Sequence, residues 1–106
     1  MLQVIYSEEF LDHKTGIYHP EKPARLTAIV DALKTASFAE KITWKLPTPV
    51  ISKPCLMSWI ESVHSTTYIN KVKNIAANGG GYLDRDTPVS PRSYDVALLA
   101  VSAWLD

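Results

Sequence analysis

Only two runs of this 106-residue chain carry the pattern of a β-strand, and two strands are too few for a sheet that stands alone. The first, Leu2-Gln3-Val4-Ile5-Tyr6, is short, rich in β-formers and reads as a buried strand. In the second, Ile42, Trp44 and Leu46 alternate with Thr43 and Lys45, and Pro47 and Pro49 end the run. Any sheet built on these strands needs other elements to complete it.

The remaining regular structure is helical. Pro23 suits the first turn of a helix, where the amide it lacks has no partner. Leu26, Ile29, Val30 and Leu33 then fall on one apolar face. Ser52 is placed to cap a short helix carrying Leu56, Trp59, Ile60 and Val63. Ser65 caps the next, with Tyr68, Ile69, Val72, Ile75 and Ala76 inward and Asn78-Gly79 at its end. Gly79-Gly80-Gly81 predicts a loop that continues through Asp84 and Asp86, because three glycines lose too much backbone entropy in a regular element. Ser90-Pro91 opens a last helix with Tyr94, Ala97, Leu98, Val101, Trp104 and Leu105 as its core face. Its pattern is still running at Asp106, so the expectation is a segment, residues 1–106, of an incomplete domain.

Composition narrows the class. Eleven basic residues balance eleven acidic ones, which leaves no basic footprint for nucleic-acid phosphates. With 46% hydrophobic and 21% charged residues the chain reads as globular rather than disordered. No apolar run is long enough to cross a bilayer, and the first residues do not form a secretory signal. The single cysteine, Cys55, has no partner for an internal disulfide, which suits a reducing cytoplasm, and it reads as a small buried hydrophobe.

Taken one at a time, the chemically active residues are weak signals. The polar residues 7–22 form a long connection holding His13 and His19, and long connections in compact domains are usually functional or mobile. Those two histidines and His64 lack the spacing of a helical zinc pair, and they read as hydrogen-bonded or solvated imidazoles rather than as metal ligands. The glycine triplet lacks the lysine ending of a phosphate loop. Asp84 and Asp86 fail the calcium-loop pattern, and Asx turns explain them. Arg25 stands just inside a helix start, where the macrodipole opposes a cation. Either it is an ordinary solvated arginine, or an acidic or carbonyl partner from elsewhere holds it.

In their order along the chain the same residues are more specific. His19-Pro20-Glu21-Lys22-Pro23-Ala24-Arg25-Leu26 resembles the HPExPxRL signature of the histone deacetylase superfamily, in its bacterial, class II-like and acetoin-utilisation-type form, with His13 and Gly16 preceding it. Val63-His64-Ser65-Thr66-Thr67-Tyr68-Ile69 resembles the family's vHsxxYi block. Residues 79–90 resemble GGGxLDxDTxvS, followed by Ser93-Tyr94 and an alanine-rich helix.

The resemblance implies an α/β arginase/deacetylase-like fold with an open, mostly parallel sheet, of which this is the N-terminal, helix-rich portion with about two strands. It implies a zinc-dependent amidohydrolase that removes acyl groups from lysine-like amines, a metal-bound water attacking the amide. Asp86 then corresponds to a rim carboxylate that orients substrate backbone amides, and Arg25 to an inner-channel arginine that helps a carboxylate product leave. Tyr18, His19, Pro20 and Glu21 form part of the entrance loop, while His64 falls in a packing block. The family's Asp-x-His and His-His blocks are absent from these residues, and the Asp84-Arg85-Asp86 spacing belongs to the GGGxLDxDTxvS resemblance rather than to the family's ligand blocks. The expected partners are therefore the remainder of the domain and an acylated amine. The competing expectation is a non-catalytic module that self-associates through an open strand edge and bare apolar faces.

Overall fold

A parallel pair of strands organises the N-terminal half. The computed structural model describes residues 1–106, and in it β1 (Leu2–Ile5) pairs with β2 (Ile42–Lys45) in the register Leu2↔Ile42 to Ile5↔Lys45. Parallel neighbours need a crossover, and α1 (Pro23–Thr35) supplies it. Pro23 occupies the first helical turn, as expected, and no side chain caps the helix. Tyr6 packs edge-on against Phe10 at 6.0 Å and Trp44 at 6.3 Å, and Lys34 lies over the Trp44 ring. This cluster joins β1, β2, α1 and a 3₁₀ turn at Glu8–Asp12. β1 itself is not a buried strand: Leu2 is 55% exposed and only Val4 and Ile5 are half-buried, because β2 is its one neighbour.

Two helices follow: α2 (Leu56–Glu61) and α3 (Thr66–Ala77). Ser65 caps α3 as its sequence predicts, its hydroxyl accepting from the Tyr68 amide at 3.1 Å. Ser52 does not cap α2. It closes a 3₁₀ turn at Val50–Ser52, Pro54 intervenes, and Cys55 takes the cap position without a side-chain bond. Cys55 is also exposed, contrary to its reading as a buried hydrophobe.

The predicted glycine loop holds a hairpin instead. β3 (Gly81–Asp84) pairs antiparallel with β4 (Thr87–Val89), with an irregularity between Tyr82 and Asp84. Elements of three and four residues, one opened by glycine and the other containing Pro88, fall below what alternation can signal. Gly80 is required by geometry: its φ is +100°, and an added Cβ would sit 2.7 Å from the Val89 carbonyl oxygen.

The last helix, α4 (Ser93–Leu105), buries a different face from the expected one. Ser93, Val96, Leu99 and Ser102 point inward, while Ala97, Leu105 and Trp104 are exposed, Trp104 to 90%. A helix apolar nearly all round offers no unique stripe, and the inward serines bond to carbonyl and imidazole groups outside the helix. The Ser102 hydroxyl, fully buried, donates to the Thr48 carbonyl.

The α/β architecture, helix-rich with a parallel strand pair, agrees with the sequence; the hairpin is the addition. The body is flat, 45 × 36 × 19 Å, with a radius of gyration of 15.3 Å against about 13 Å for a compact chain of this length. Twelve residues are buried, and only seven of those form an apolar core. Four residues of the expected face of α4, Tyr94, Ala97, Leu98 and Val101, line an open apolar groove of about 380 Å³ with Trp59, Val63, Tyr68 and Val72. No helix is long and apolar enough to cross a membrane.

Candidate functional site

Residues 13–22 and the β3–β4 hairpin meet at one edge of the slab, and three sets of hydrogen bonds build that edge. At the start of the loop, His13 Nδ1 lies 2.6 Å from the Ser93 hydroxyl at the head of α4. Ser93 Oγ also accepts from the Ser90 amide at 2.8 Å, and Ser90 Oγ accepts from the Lys14 amide at 2.9 Å. Ser90 therefore fastens the loop rather than capping α4. Burial holds the His13 imidazole below the ordinary histidine range, against an opposing pull from Glu21.

The loop closes on itself next. Gly16 adopts φ +92° and its carbonyl accepts from the His19 amide, while the Thr15 hydroxyl donates to the Glu21 carbonyl. His19 Nδ1 accepts from the Glu21 amide at 3.0 Å. An amide only donates, so Nδ1 carries no proton, and the ring proton sits on Nε2. Nε2 is 2.8 Å from the Asp86 carbonyl oxygen and donates to it.

The hairpin tip is held from within by Asp84. Its Oδ1 accepts from the Thr87 hydroxyl at 2.8 Å and the Asp86 amide at 2.9 Å, and these bonds lower its pKa from the usual carboxylate value. This is the Asx turn that the sequence suggested. The neighbouring Asp86 is different: its backbone is fixed at both ends, yet its carboxylate makes no hydrogen bond or ion pair. It opens onto a cleft of about 570 Å³ shared with Ile17, Tyr18, Pro20, His19 and Tyr82. Tyr18 is 95% exposed. Tyr82 is the site residue the sequence reading missed, although it lies inside the glycine-rich block it had singled out.

Arg25 lies apart from this cleft. Its Nη2 is 3.3 Å from Glu21 Oε2 across one turn, both side chains largely solvated. The partner that answers the macrodipole is thus a local glutamate, and an exposed pair of this kind contributes about 0.3–0.5 kcal/mol. His64 stacks on Tyr68 with ring centroids 5.6 Å apart and joins the apolar groove.

Residues 19–106 match the histone deacetylase domain family. The chain belongs to that family. It is 55% identical, over all 106 residues, to an uncharacterised protein of Synechocystis, of which the match covers 34%. It is 31% identical over 97 residues to a probable deacetylase of Archaeoglobus fulgidus, covering 92% of this chain and 26% of that protein. A probable deacetylase of Methanothermobacter thermautotrophicus is 31% identical over 84 residues, covering 77% of this chain and 23% of its own length. The deacetylase segment thus spans about a third or less of the curated relatives it matches. Both the His19–Arg25 and hairpin blocks lie within the matched residues, whereas His13, Gly16 and Tyr18 precede them.

The family is generally zinc-dependent, and the donors of this segment do not fit a zinc centre. No group of three or more His, Cys, Asp or Glu side chains is placed to hold a metal. His19 uses both ring nitrogens within the chain, and Asp84 is spent on its turn.

Proposed function

We propose that residues 1–106 are the N-terminal portion of a zinc-dependent deacylase domain and form the rim and entrance of its substrate channel. The observation that carries this reading is the free Asp86 carboxylate, held on a clamped hairpin tip and facing a cleft with an exposed tyrosine on either side. A carboxylate without internal partners accepts two amide N–H donors, which is what an acyl-lysine backbone presents. Fixing it before substrate arrives removes the entropy of orienting it afterwards. Tyr18, Pro20 and Tyr82 supply apolar walls for the methylene arm. Arg25 keeps N–H donors that Glu21 does not use, and these suit a small carboxylate product once the remaining domain surrounds them. Bond cleavage and metal ligation belong, in this reading, to the rest of the domain, which also covers the apolar groove and the outer face of α4.

The test is a chimaera in which this chain replaces the matching third of the Synechocystis relative. Expected is hydrolysis of an acetyl-lysine reporter that a chelator abolishes, absent from residues 1–106 alone, with Asp86→Asn lowering kcat/KM about 10-fold or more, the loss of a charged hydrogen-bond acceptor. Undiminished turnover by the Asp86→Asn chimaera overturns the rim assignment. Activity of the isolated chain overturns the division of labour.

The alternative, a self-associating module without catalysis, draws on the same groove. It predicts a concentration-dependent dimer of residues 1–106 and an inactive chimaera beside an active parent.

A further inference from the structure

We infer that His19 is a positioning residue: as a neutral imidazole protonated on Nε2, it sets the place of Asp86 by gripping that residue's backbone carbonyl, and it does not touch substrate. This rests on the reading of Asp86 as the rim carboxylate and assigns His19 a task within it.

The argument starts from occupancy. Both ring nitrogens of His19 are engaged inside the chain, Nδ1 by the Glu21 amide and Nε2 by the Asp86 carbonyl. The imidazole therefore has no donor or acceptor left for a ligand. The direction of both bonds is forced, since an amide must donate and a carbonyl must accept, so one tautomer alone satisfies the site.

Next comes connectivity. No other hydrogen bond or ion pair joins residues 14–22 to the hairpin, residues 81–89; the Lys14 amide reaches Ser90, beyond β4. The cleft has one wall from the loop, with Tyr18 and Pro20, and one from the hairpin, with Tyr82 and Asp86. His19 is the polar link that fixes the spacing of those walls. Asp84 organises the hairpin tip internally but cannot set its distance from Tyr18, because both its partners, Asp86 and Thr87, lie on the same hairpin.

Glutamine distinguishes this role from general packing. Its side-chain amide nitrogen reaches about as far as imidazole Nε2 and still donates to the carbonyl, whereas alanine offers nothing.

The first measurement is amide hydrogen exchange on residues 1–106. Loss of one such bond corresponds to about a five-fold change in a local opening equilibrium. His19→Ala is expected to speed exchange at Asp86 and Thr87 by about that factor, with His19→Gln close to the parent and α3 unchanged in all three. Nitrogen NMR of the ring is expected to show the Nε2–H tautomer. Unchanged exchange in His19→Ala, or a ring protonated on Nδ1, overturns the inference.

The second measurement uses the chimaera. His19→Ala is expected to raise KM for the acetyl-lysine reporter several-fold with kcat nearly unchanged, and His19→Gln to restore it. A fall in kcat at constant KM, or no rescue by glutamine, overturns the positioning role. Should Asp86→Asn leave turnover intact, the rim reading fails by itself, while the exchange experiment still decides the grip on the hairpin.

Discussion

The Asp106 carboxylate accepts from both the backbone amide and the hydroxyl of Thr48, at 2.7 and 2.8 Å, across 58 positions of sequence. Lys53 Nζ adds an ion pair at 2.6 Å, and the Asp106 side chain is only 5% exposed. One carboxylate thereby fastens the end of α4 to the connection between β2 and α2, beside the buried bond from Ser102 to Thr48.

Acid should release that fastening. Lys53, then the Thr48 amide and hydroxyl, hold the Asp106 pKa well below the usual carboxylate range. A depressed folded-state pKa contributes stability that is complete above the unfolded value of about 3.9 and is lost as pH falls below it. Urea midpoints measured from pH 6 down to pH 2 should decline at the acid end, and Asp106→Asn should lower the neutral plateau and flatten that decline.

A second proton-dependent contribution comes from His13. Burial depresses its pKa, so the unfolded chain binds a proton more readily than the folded one, and stability rises with pH up to about 6.5. His13→Ala should remove the part of the pH profile between pH 6.5 and the lower folded value. Ser93→Ala leaves the buried Ser90 amide without its acceptor and His13 without its partner, at a cost of about 1–3 kcal/mol in chemical denaturation.

Gly80→Ala tests the junction between α3 and the hairpin. With φ at +100° and a carbonyl 2.7 Å from the new Cβ, the substitution should destabilise by more than about 1 kcal/mol. Gly79 has a similar φ but open space around it, so Gly79→Ala should cost less. Thermal melts of the two variants side by side give the comparison.

Trp104→Lys separates the segment from the domain. The side chain is 90% exposed here, so the stability of residues 1–106 should move by no more than about 0.5 kcal/mol. In the chimaera the same change should lower the melting temperature by several degrees if, as proposed, the rest of the domain covers the outer face of α4. Equal small effects in both proteins would refute that coverage.

Local rules made α1, α3 and the strand pair legible. Pro23 and Ser65 sit at helix starts, and Ile42 and Trp44 alternate within a strand, each governed by neighbours a few residues away. The inward face of α4 was not legible, because Val96 and Leu99 compete with Leu98 and Val101 and the choice depends on His13 and Thr48, distant in sequence. The hairpin was hidden by its brevity. At the cleft, the residues of the loop and Asp86 could be named from their motifs. That His19 is occupied on both nitrogens depends on the loop meeting the hairpin at Asp86, which no periodicity encodes, whereas the Arg25–Glu21 pair spans only four positions.

The slab's thinness bears on its calorimetry. A body 19 Å through, with seven apolar residues withdrawn from water, exposes little new hydrocarbon when it unfolds. Its heat-capacity increment should be small for 106 residues, so its stability curve against temperature is shallow and its melting transition broad, held by a handful of polar clasps rather than an oily centre.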